Sequence, residues 1–269
     1  MSRHKSMNYT SGTVHLVGAG PGAPDLITVR AARLLARADV VFYDALVHPD
    51  TLALAEKAHK IAVGKRCGKH STQQRFINKR LIDAARKHAV VVRLKGGDPM
   101  MFGRAQEEID ALRAAGIPCE VVPGITAALA ASADLKISLT RRGVSRNVTF
   151  VTPRVGEGEG ASDWVRSVCT ADSAVLYMAA GRATAIADTL IAHGLPADMP
   201  VLIVENASLP DMATTATTLG VLRSVTENMT HGGPALLMIG RVFQRATDAR
   251  TTAIDREAVR EALTASLCA

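Results

Sequence analysis

Short apolar runs alternate with longer amphipathic stretches through the first half of the chain. The stretches have helical spacing: Leu81, Ala84 and Ala85, for example, recur at i, i+3 and i+4 with charged residues between them. This alternation predicts βαβ units and a mostly parallel sheet. The predicted strands are residues 14–17, 40–43, 61–63, 89–94 and 120–122, and the predicted helices are 26–38, 51–58, 73–88, 102–115 and 125–133.

The second half alternates in the same way and predicts a second α/β domain. Its strand candidates are residues 148–151, 174–178, 201–204 and 235–239, and its helix candidates lie near 163–169 and 183–193. A last helix is predicted over 254–267. We therefore predict a disordered tail over 1–12, an α/β domain over 13–138, a linker over 139–146, an α/β domain over 147–245 and a C-terminal tail or helix over 246–269.

Loops with glycine or proline follow four strands of the first half, at residues 18–22, 63–66, 96–104 and 121–127. The third is the richest, because bare glycine backbone, the Asp98 carboxylate and the Arg104 guanidinium follow one another closely. One such loop is an ordinary βα turn, but a shared ligand cleft explains all four. Open α/β sheets bind ligands at the carboxyl ends of their strands, so we expect the cleft there.

Composition narrows the class of ligand. Of the 269 residues, 48% are hydrophobic, as in globular proteins, and only 3% are aromatic, which argues against stacking platforms for single-stranded nucleic acid. The net charge is +7, and basic residues concentrate in the loops. Because no nucleic-acid motif or basic helical stripe accompanies them, we favour a polyanionic small substrate.

The cysteines and the apolar segments argue against a metal-binding, a membrane-spanning and a secreted protein. Cys67, Cys119, Cys169 and Cys268 form no CxxC pair, so we expect structural free thiols and no bound metal. No apolar stretch reaches the roughly 20 residues of a membrane span. Residues 1–11 are polar and basic, unlike a secretory signal. We expect a cytoplasmic protein that binds neither membrane nor nucleic acid.

The first glycine loop also admits a dinucleotide site. Residues 18–23 fit G-x-G-x-x-A, and Asp44 ends the second strand at a suitable distance. Pro21 and Pro24 weigh against this interpretation, because they remove N–H groups where a pyrophosphate needs donors. An NAD-dependent oxidoreductase is therefore the weaker hypothesis.

A series of motifs resembles the tetrapyrrole methylases that use S-adenosylmethionine, and among them the uroporphyrinogen-III C-methyltransferases. The Gly-Gly-Asp-Pro loop that ends in Phe-Gly-Arg, residues 96–104, is the most specific part of the resemblance. The other motifs are Gly18-Ala19-Gly20-Pro21-Gly22, Tyr43-Asp44, Gly64-Lys65-Arg66, Gly68, His70-Ser71, Gln74, Ile77-Asn78, Glu107-Glu108, Pro123-Gly124-Ile125-Thr126-Ala127, Leu139-Thr140, Tyr177-Met178 and Val204-Glu205-Asn206.

The resemblance implies two α/β domains with a ligand cleft between them, commonly in a homodimer. It implies two methyl transfers from S-adenosylmethionine to pyrrole carbons of uroporphyrinogen III, which give precorrin-2 and S-adenosylhomocysteine. Precorrin-2 is a precursor of sirohaem, cobalamin or haem d1. The substrate carries eight carboxylates, which suits the basic charge of the chain, because arginine binds carboxylates through paired hydrogen bonds.

The resemblance also implies individual roles. Asp44 matches a proton acceptor and Lys65 a proton donor, while Arg104 and Glu107 match positions that face the tetrapyrrole. Arg141 and His70 are further candidates for substrate binding, of which His70 is secondary and could be a surface residue. The residues expected to contact the cofactor are Pro21, Gly96, Gly97, Asp98, Met101, Thr126, Ala127, Met178 and Ala207.

Alternatives stay open at several of these positions. Asp44 could cap the turn that follows it, Lys65 could bind a propionate, and Asp98 could form the turn before Pro99. Family members have His where Arg141 stands, so Arg141 is either a substitute carboxylate ligand or a drifted position. Two other functions compete: a sister methylase for a later corrin precursor, and a cofactor-binding regulatory protein with weak turnover.

Overall fold

The computed structural model describes residues 11–64, 74–155, 160, 162–227 and 233–247. The chain divides into two compact units, residues 1–130 and 131–269, and each of two five-stranded sheets lies within one unit. The predicted α/β class with two sheets is confirmed. The predicted domain boundaries and the linker stay predictions.

The first sheet is entirely parallel and has the strand order β3-β2-β4-β1-β5. Because the strands are parallel, their carboxyl ends lie along one edge of the sheet, as the alternating pattern predicts. The strands are β1 (Thr13–Gly18), β2 (Val40–Tyr43), β3 (His59–Ala62), β4 (Val90–Lys95) and β5 (Cys119–Val122); the helices are α1 (Val29–Leu35), α2 (Pro49–Ala53), α3 (Gln74–Ala85), α4 (Ala105–Ala114) and α5 (Ala127–Leu135).

The two faces of this sheet pack into different hydrophobic clusters, because successive side chains of a strand point to opposite faces. In β4, Val91 packs with residues of α3 and α4, whereas Val92 and Leu94 pack with residues of α1. Arg93 and Lys95 alternate with Val92 and Leu94, and both are buried. Two charged side chains therefore lie on the face of β4 that packs against α3 and α4.

The second sheet is mixed and has the strand order β6-β7-β10-β8-β9. Only β6 and β7 pair in parallel; β10 is antiparallel to both of its neighbours. Its strands are β6 (Val148–Val151), β7 (Ser173–Tyr177), β8 (Pro200–Glu205), β9 (Ala213–Thr218) and β10 (Ala235–Gly240), and the helices of this unit are α6 (Trp164–Cys169), α7 (Ala183–Ala192) and α8 (Leu222–Glu227). The apolar pattern missed β9, because this edge strand consists only of alanine and threonine.

The start of α4 differs from its prediction in a way that matters for function. The predicted helix begins at Phe102, but α4 begins at Ala105. Phe102 and Arg104 have positive φ values of 52° and 56°, which a right-handed helix does not allow. Residues 102–104 therefore form a separate turn between β4 and α4. The predicted helix over 254–267 lies outside the described residues.

Candidate active site

The loops after β1 and β4 join at the carboxyl edge of the first sheet. Ala19 donates its backbone N–H to Lys95 O at 2.7 Å. Gly20 and Gly97 form a bridge, in which Gly97 donates to Gly20 O at 2.7 Å and Gly20 donates to Gly97 O at 3.2 Å. These bonds hold Pro21 next to the Gly96–Gly97 loop. They also occupy the N–H groups of Ala19 and Gly20, which a dinucleotide pyrophosphate would need.

Close chain packing accounts for most glycines of these loops. A Cβ atom on Gly18 or Gly124 would collide with the backbone of the other, and one on Gly96 would lie 2.7 Å from Leu46 Cβ. Gly97 differs, because its Cβ would meet only the Cα of Thr126, at 3.9 Å. Its φ of +68° also favours glycine. Gly97 therefore presents bare backbone to open space, as a residue that contacts a ligand must.

The Asp98 carboxylate ties two loops together. Its Oδ1 accepts the Met100 N–H at 2.8 Å, and its Oδ2 accepts the Gly124 N–H at 2.9 Å. Met101 closes the same turn by donating its N–H to Asp98 O at 3.2 Å. Asp98 thus makes the turn before Pro99 and also fixes the loop that leads to Thr126 and Ala127.

Asp44 follows β2 and lies beside the Gly96–Gly97 loop. Its Oδ1 accepts the Leu46 N–H at 3.0 Å, which is the turn cap that the sequence leaves open. Its Oδ2 accepts the Gly96 N–H at 3.3 Å and lies 4.0 Å from Arg93 Nη1. The carboxylate is 23% exposed, so it holds the loop in place while part of it stays accessible.

A buried charged cluster lies beneath these loops. Glu108 of α4 is fully buried, and its Oε1 accepts hydrogen bonds from Arg93 Nε at 3.2 Å, Lys95 Nζ at 3.1 Å and Gln74 Nε2 at 3.0 Å. Among the described residues, Glu108 Oε2 has no hydrogen-bond partner. Burial, and secondarily the Arg93 charge, lower the pKa of Lys95.

Arg104 and Glu107 form a bidentate ion pair on the surface. Arg104 Nε donates to Glu107 Oε1 at 2.7 Å, and Nη2 donates to Oε2 at 2.8 Å. The side chains are 59% and 50% exposed. The Arg104 hydrogen bonds lower the pKa of Glu107. The guanidinium is thus accessible and next to the loop, where a carboxylate of a ligand can reach it.

Exposed apolar side chains accompany the charged ones. Leu46 in the loop after β2 is 60% exposed, and Met100 and Phe102 in the loop after β4 are 55% and 38% exposed. Sequence reasoning did not select these residues. The loop motif contains Met100 and Phe102, but nothing in the periodic pattern shows that their side chains face solvent.

In the second unit, two predicted cofactor residues lie at one sheet edge. β7 and β8 are both antiparallel to β10, so they run in the same direction and end at the same edge. Met178 follows β7 and Ala207 lies just beyond the end of β8. Met178 has a φ of +55° and is 46% exposed, whereas Ala207 is buried.

Two predicted residues lie outside the described part of the chain, and a third, Arg141, lies on a turn of the second unit. Lys65 and His70 lie outside the described residues, although Gly64, which precedes Lys65, packs against the Asp44 backbone. Arg141 is exposed on a turn that its own backbone closes with Ser145, with hydrogen bonds of 2.9 and 2.8 Å.

Comparison with known proteins identifies the family. A family model described as Tetrapyrrole (Corrin/Porphyrin) Methylases matches residues 13–223. The chain belongs to the tetrapyrrole methylases. The resemblance in the loop motifs is therefore confirmed, and the two-sheet α/β architecture is that of this family.

Individual tetrapyrrole methylases cover most of the chain. The siroheme synthase of Vesicomyosocius okutanii subsp. Calyptogena okutanii (strain HA) is 44% identical over 234 residues, which are 87% of this chain and 50% of the relative. The chain spans about half the length of the curated relatives it matches.

Two solved tetrapyrrole methylase structures are similar over nearly their whole length. A uroporphyrin-III C-methyl transferase from Thermus thermophilus, complexed with S-adenyl homocysteine, is 41% identical with a TM-score of 0.76 and covers 87% of this chain and 99% of its own. A cobalt precorrin-4 methyltransferase is 28% identical with a TM-score of 0.75 and covers 86% and 95%.

Within the described ranges, no group of three or more His, Cys, Asp or Glu side chains is placed to hold a metal ion. No helix in the described part of the chain is long and apolar enough to cross a membrane.

Proposed function

We propose that this tetrapyrrole methylase is an S-adenosylmethionine-dependent uroporphyrinogen-III C-methyltransferase. It methylates uroporphyrinogen III twice and produces precorrin-2. The observation that carries the proposal is the loop at residues 96–104, which contains both the open Gly97 backbone and the accessible Arg104 guanidinium. The 41% identity with the Thermus thermophilus enzyme, against 28% with the cobalt precorrin-4 methyltransferase, favours this substrate over a later corrin precursor.

The loops suit S-adenosylmethionine because the ligand would meet exposed main-chain atoms of Gly97 and not a cluster of charged side chains. The space in front of Gly97 admits a ligand close to the main chain, and Thr126 borders the same space. Asp98 holds both loops at this spacing through the Met100 and Gly124 N–H groups. When bound, S-adenosylmethionine supplies an electrophilic methyl group. The cofactor roles of Pro21, Met101, Ala127, Met178 and Ala207 stay predictions of the family resemblance.

Addition of the methyl group to a pyrrole carbon leaves a positive charge that the ring nitrogen stabilises, and loss of a proton from the macrocycle neutralises it. We assign the removal of this proton to Asp44. Its two oxygens each accept one backbone N–H, from Leu46 and from Gly96, which fixes the carboxylate and leaves further lone pairs. A fixed, partly accessible carboxylate is suited to act as a general base. The turn cap and the proton acceptor are thus compatible roles of one side chain.

The substrate is a macrocycle with carboxylate arms, and the carboxyl edge offers partners for both parts. Arg104, oriented by Glu107, can pair with a carboxylate through two hydrogen bonds. Leu46, Met100 and Phe102 provide apolar surface for the ring system. Lys65, His70 and Arg141 remain candidates for other carboxylates on the strength of the family resemblance.

A comparison of two substrates in parallel methylation assays tests the choice of substrate. Labelled S-adenosylmethionine is offered with uroporphyrinogen III and, separately, with a cobalt precorrin-4 preparation. We expect label in the first product at a rate far above the second. Equal or greater transfer to the corrin precursor would assign the chain to the sister methylases, and binding of S-adenosylhomocysteine without transfer to either would favour the regulatory alternative.

The oligomeric state, the cellular location and the pathway of the enzyme stay predictions. A homodimer in the cytoplasm follows from the family resemblance and the composition, and sirohaem, cobalamin and haem d1 are the pathways that precorrin-2 can enter.

A further inference from the structure

The cations beneath the loop at residues 96–104 outnumber their buried anion. Arg93 and Lys95 are 5% and 4% exposed, and both donate to the same oxygen of Glu108. The Asp44 carboxylate is partly exposed, and its Oδ2 lies 4.0 Å from Arg93 Nη1. The two buried cations share their compensation, because Glu108 carries one negative charge and the partly exposed Asp44 is the second carboxylate that acts on both. Burial of such a charge costs free energy unless a partner compensates it.

The aliphatic part of the Lys95 side chain, its stem, supports the turn at residues 102–104. A Cβ atom on Gly103 would lie 2.6 Å from Pro99 O and 3.1 Å from Lys95 Cε, so the lysine stem and this carbonyl enclose the Gly103 backbone. On either side of Gly103, Phe102 and Arg104 adopt positive φ, which is unfavourable for residues with a Cβ. Such a conformation persists only where the surroundings hold it.

We propose that Lys95, held at its Nζ by Glu108, is a positioning residue that fixes the turn at residues 102–104 and thereby directs Arg104 toward a substrate carboxylate. The inference rests on the proposed function, because it gives the buried Lys95 cation a purpose in substrate binding. It also explains why Gly103 is glycine: the space a side chain would need is filled by Lys95 and Pro99 O.

The test uses Lys95→Met. Methionine keeps the side chain as far as the ε position but removes Nζ, so the hydrogen bond to Glu108 is lost while the Arg93–Glu108 ion pair remains. We expect kcat/KM for uroporphyrinogen III to fall about tenfold or more, with affinity for S-adenosylhomocysteine unchanged within about twofold. The urea midpoint should stay close to that of the wild type, because the variant loses a costly buried cation but keeps the Arg93–Glu108 pair. The control is Lys79→Met, which removes an exposed pair with Asp83 on α3 and should change none of these quantities.

A double variant and hydrogen exchange separate positioning from simple stabilisation. If Lys95 acts through Arg104, Lys95→Met combined with Arg104→Leu should be no worse than Arg104→Leu alone. The peptide covering residues 102–104 should exchange its amide hydrogens faster in Lys95→Met than in the wild type.

Several results would overturn the inference: an unchanged kcat/KM in Lys95→Met, a double variant whose losses multiply, or parallel loss of stability and cofactor affinity. The exchange measurement does not need turnover. If the wild type fails to methylate uroporphyrinogen III but exchange at residues 102–104 rises in Lys95→Met, the substrate assignment is wrong and the positioning of the turn stands. Unchanged exchange refutes the positioning whatever the substrate is.

Discussion

At the scale of single residues, Arg104 has two possible roles with different consequences. As a ligand of a substrate carboxylate, its loss in Arg104→Leu should cost about 1.5–3 kcal/mol in kcat/KM, the range for a hydrogen bond to a charged group. As a helix-surface partner of Glu107 it would be worth only about 0.2–0.5 kcal/mol. We expect the larger loss, with unchanged S-adenosylhomocysteine affinity, measured as methylation rate and calorimetric affinity on one preparation.

The matched control is Arg113→Leu, which breaks a similar exposed pair with Asp110 farther along α4. It should leave the methylation rate unchanged. Near-normal methylation by Arg104→Leu would make the Arg104–Glu107 pair a surface feature and remove this side chain from the substrate site.

Gly97 offers a second residue-scale prediction. Gly97→Val should abolish binding of S-adenosylhomocysteine, because the new side chain would enter the open space beside Thr126. The positive φ also costs about 1–3 kcal/mol of unfolding free energy for a residue with a Cβ. Gly116→Val isolates that cost, since Gly116 has the same φ of +68° and open space but lies between α4 and β5. Wild-type affinity in Gly97→Val would show that this loop does not line the site.

The sequence predicted some residue roles better than others. Asp44 and the Gly96–Gly97 loop were selected from their positions after strands, and the structure joins them by a hydrogen bond. Glu108 was visible only as part of a Glu-Glu motif. Its complete burial beneath Lys95 depends on how α4 packs against β4, which spacing along the chain does not encode.

At the scale of elements, the pairing of β1 with β5 predicts a dependence of stability on pH. His15 of β1 is aligned with Glu120 of β5, and its Nδ1 lies 3.1 Å from a Glu120 oxygen. Burial nevertheless lowers the pKa of His15 below 6.5, against the opposing charge of Glu120. As pH falls below 6.5, the unfolded state therefore takes up more protons than the folded state, and unfolding free energy decreases.

Urea unfolding between about pH 7 and about pH 5 measures this effect. His15→Gln should lose less stability on acidification than the wild type. His59→Gln, which changes an exposed histidine of β3, should match the wild type. An identical loss in wild type and His15→Gln would place the acid sensitivity elsewhere.

The elements themselves were predictable to different degrees. Buried parallel strands such as β1 and β4 are continuous apolar runs, so their existence follows from the sequence. The edge strand β9 contains no large apolar residue and was missed. The start of α4 was placed too early, because helical spacing cannot show that Phe102 and Arg104 adopt positive φ.

At the scale of the whole molecule, composition and loop motifs point in the same direction. The excess of basic residues suits a polycarboxylate, and the family match spans residues 13–223. Composition alone restricts the ligand only to an anionic small molecule. The choice of uroporphyrinogen III depends on the specific loop at residues 96–104 and on the similarity to enzymes that act on such tetrapyrroles.

The decisive measurement is the mass of the product formed from uroporphyrinogen III and S-adenosylmethionine. We expect a product with two added methyl groups and the release of two molecules of S-adenosylhomocysteine for each molecule of product. A sample without the methyl donor should return uroporphyrinogen III unchanged. Recovery of unmodified uroporphyrinogen III in the presence of both reactants, from a folded preparation that binds S-adenosylhomocysteine, would contradict the account.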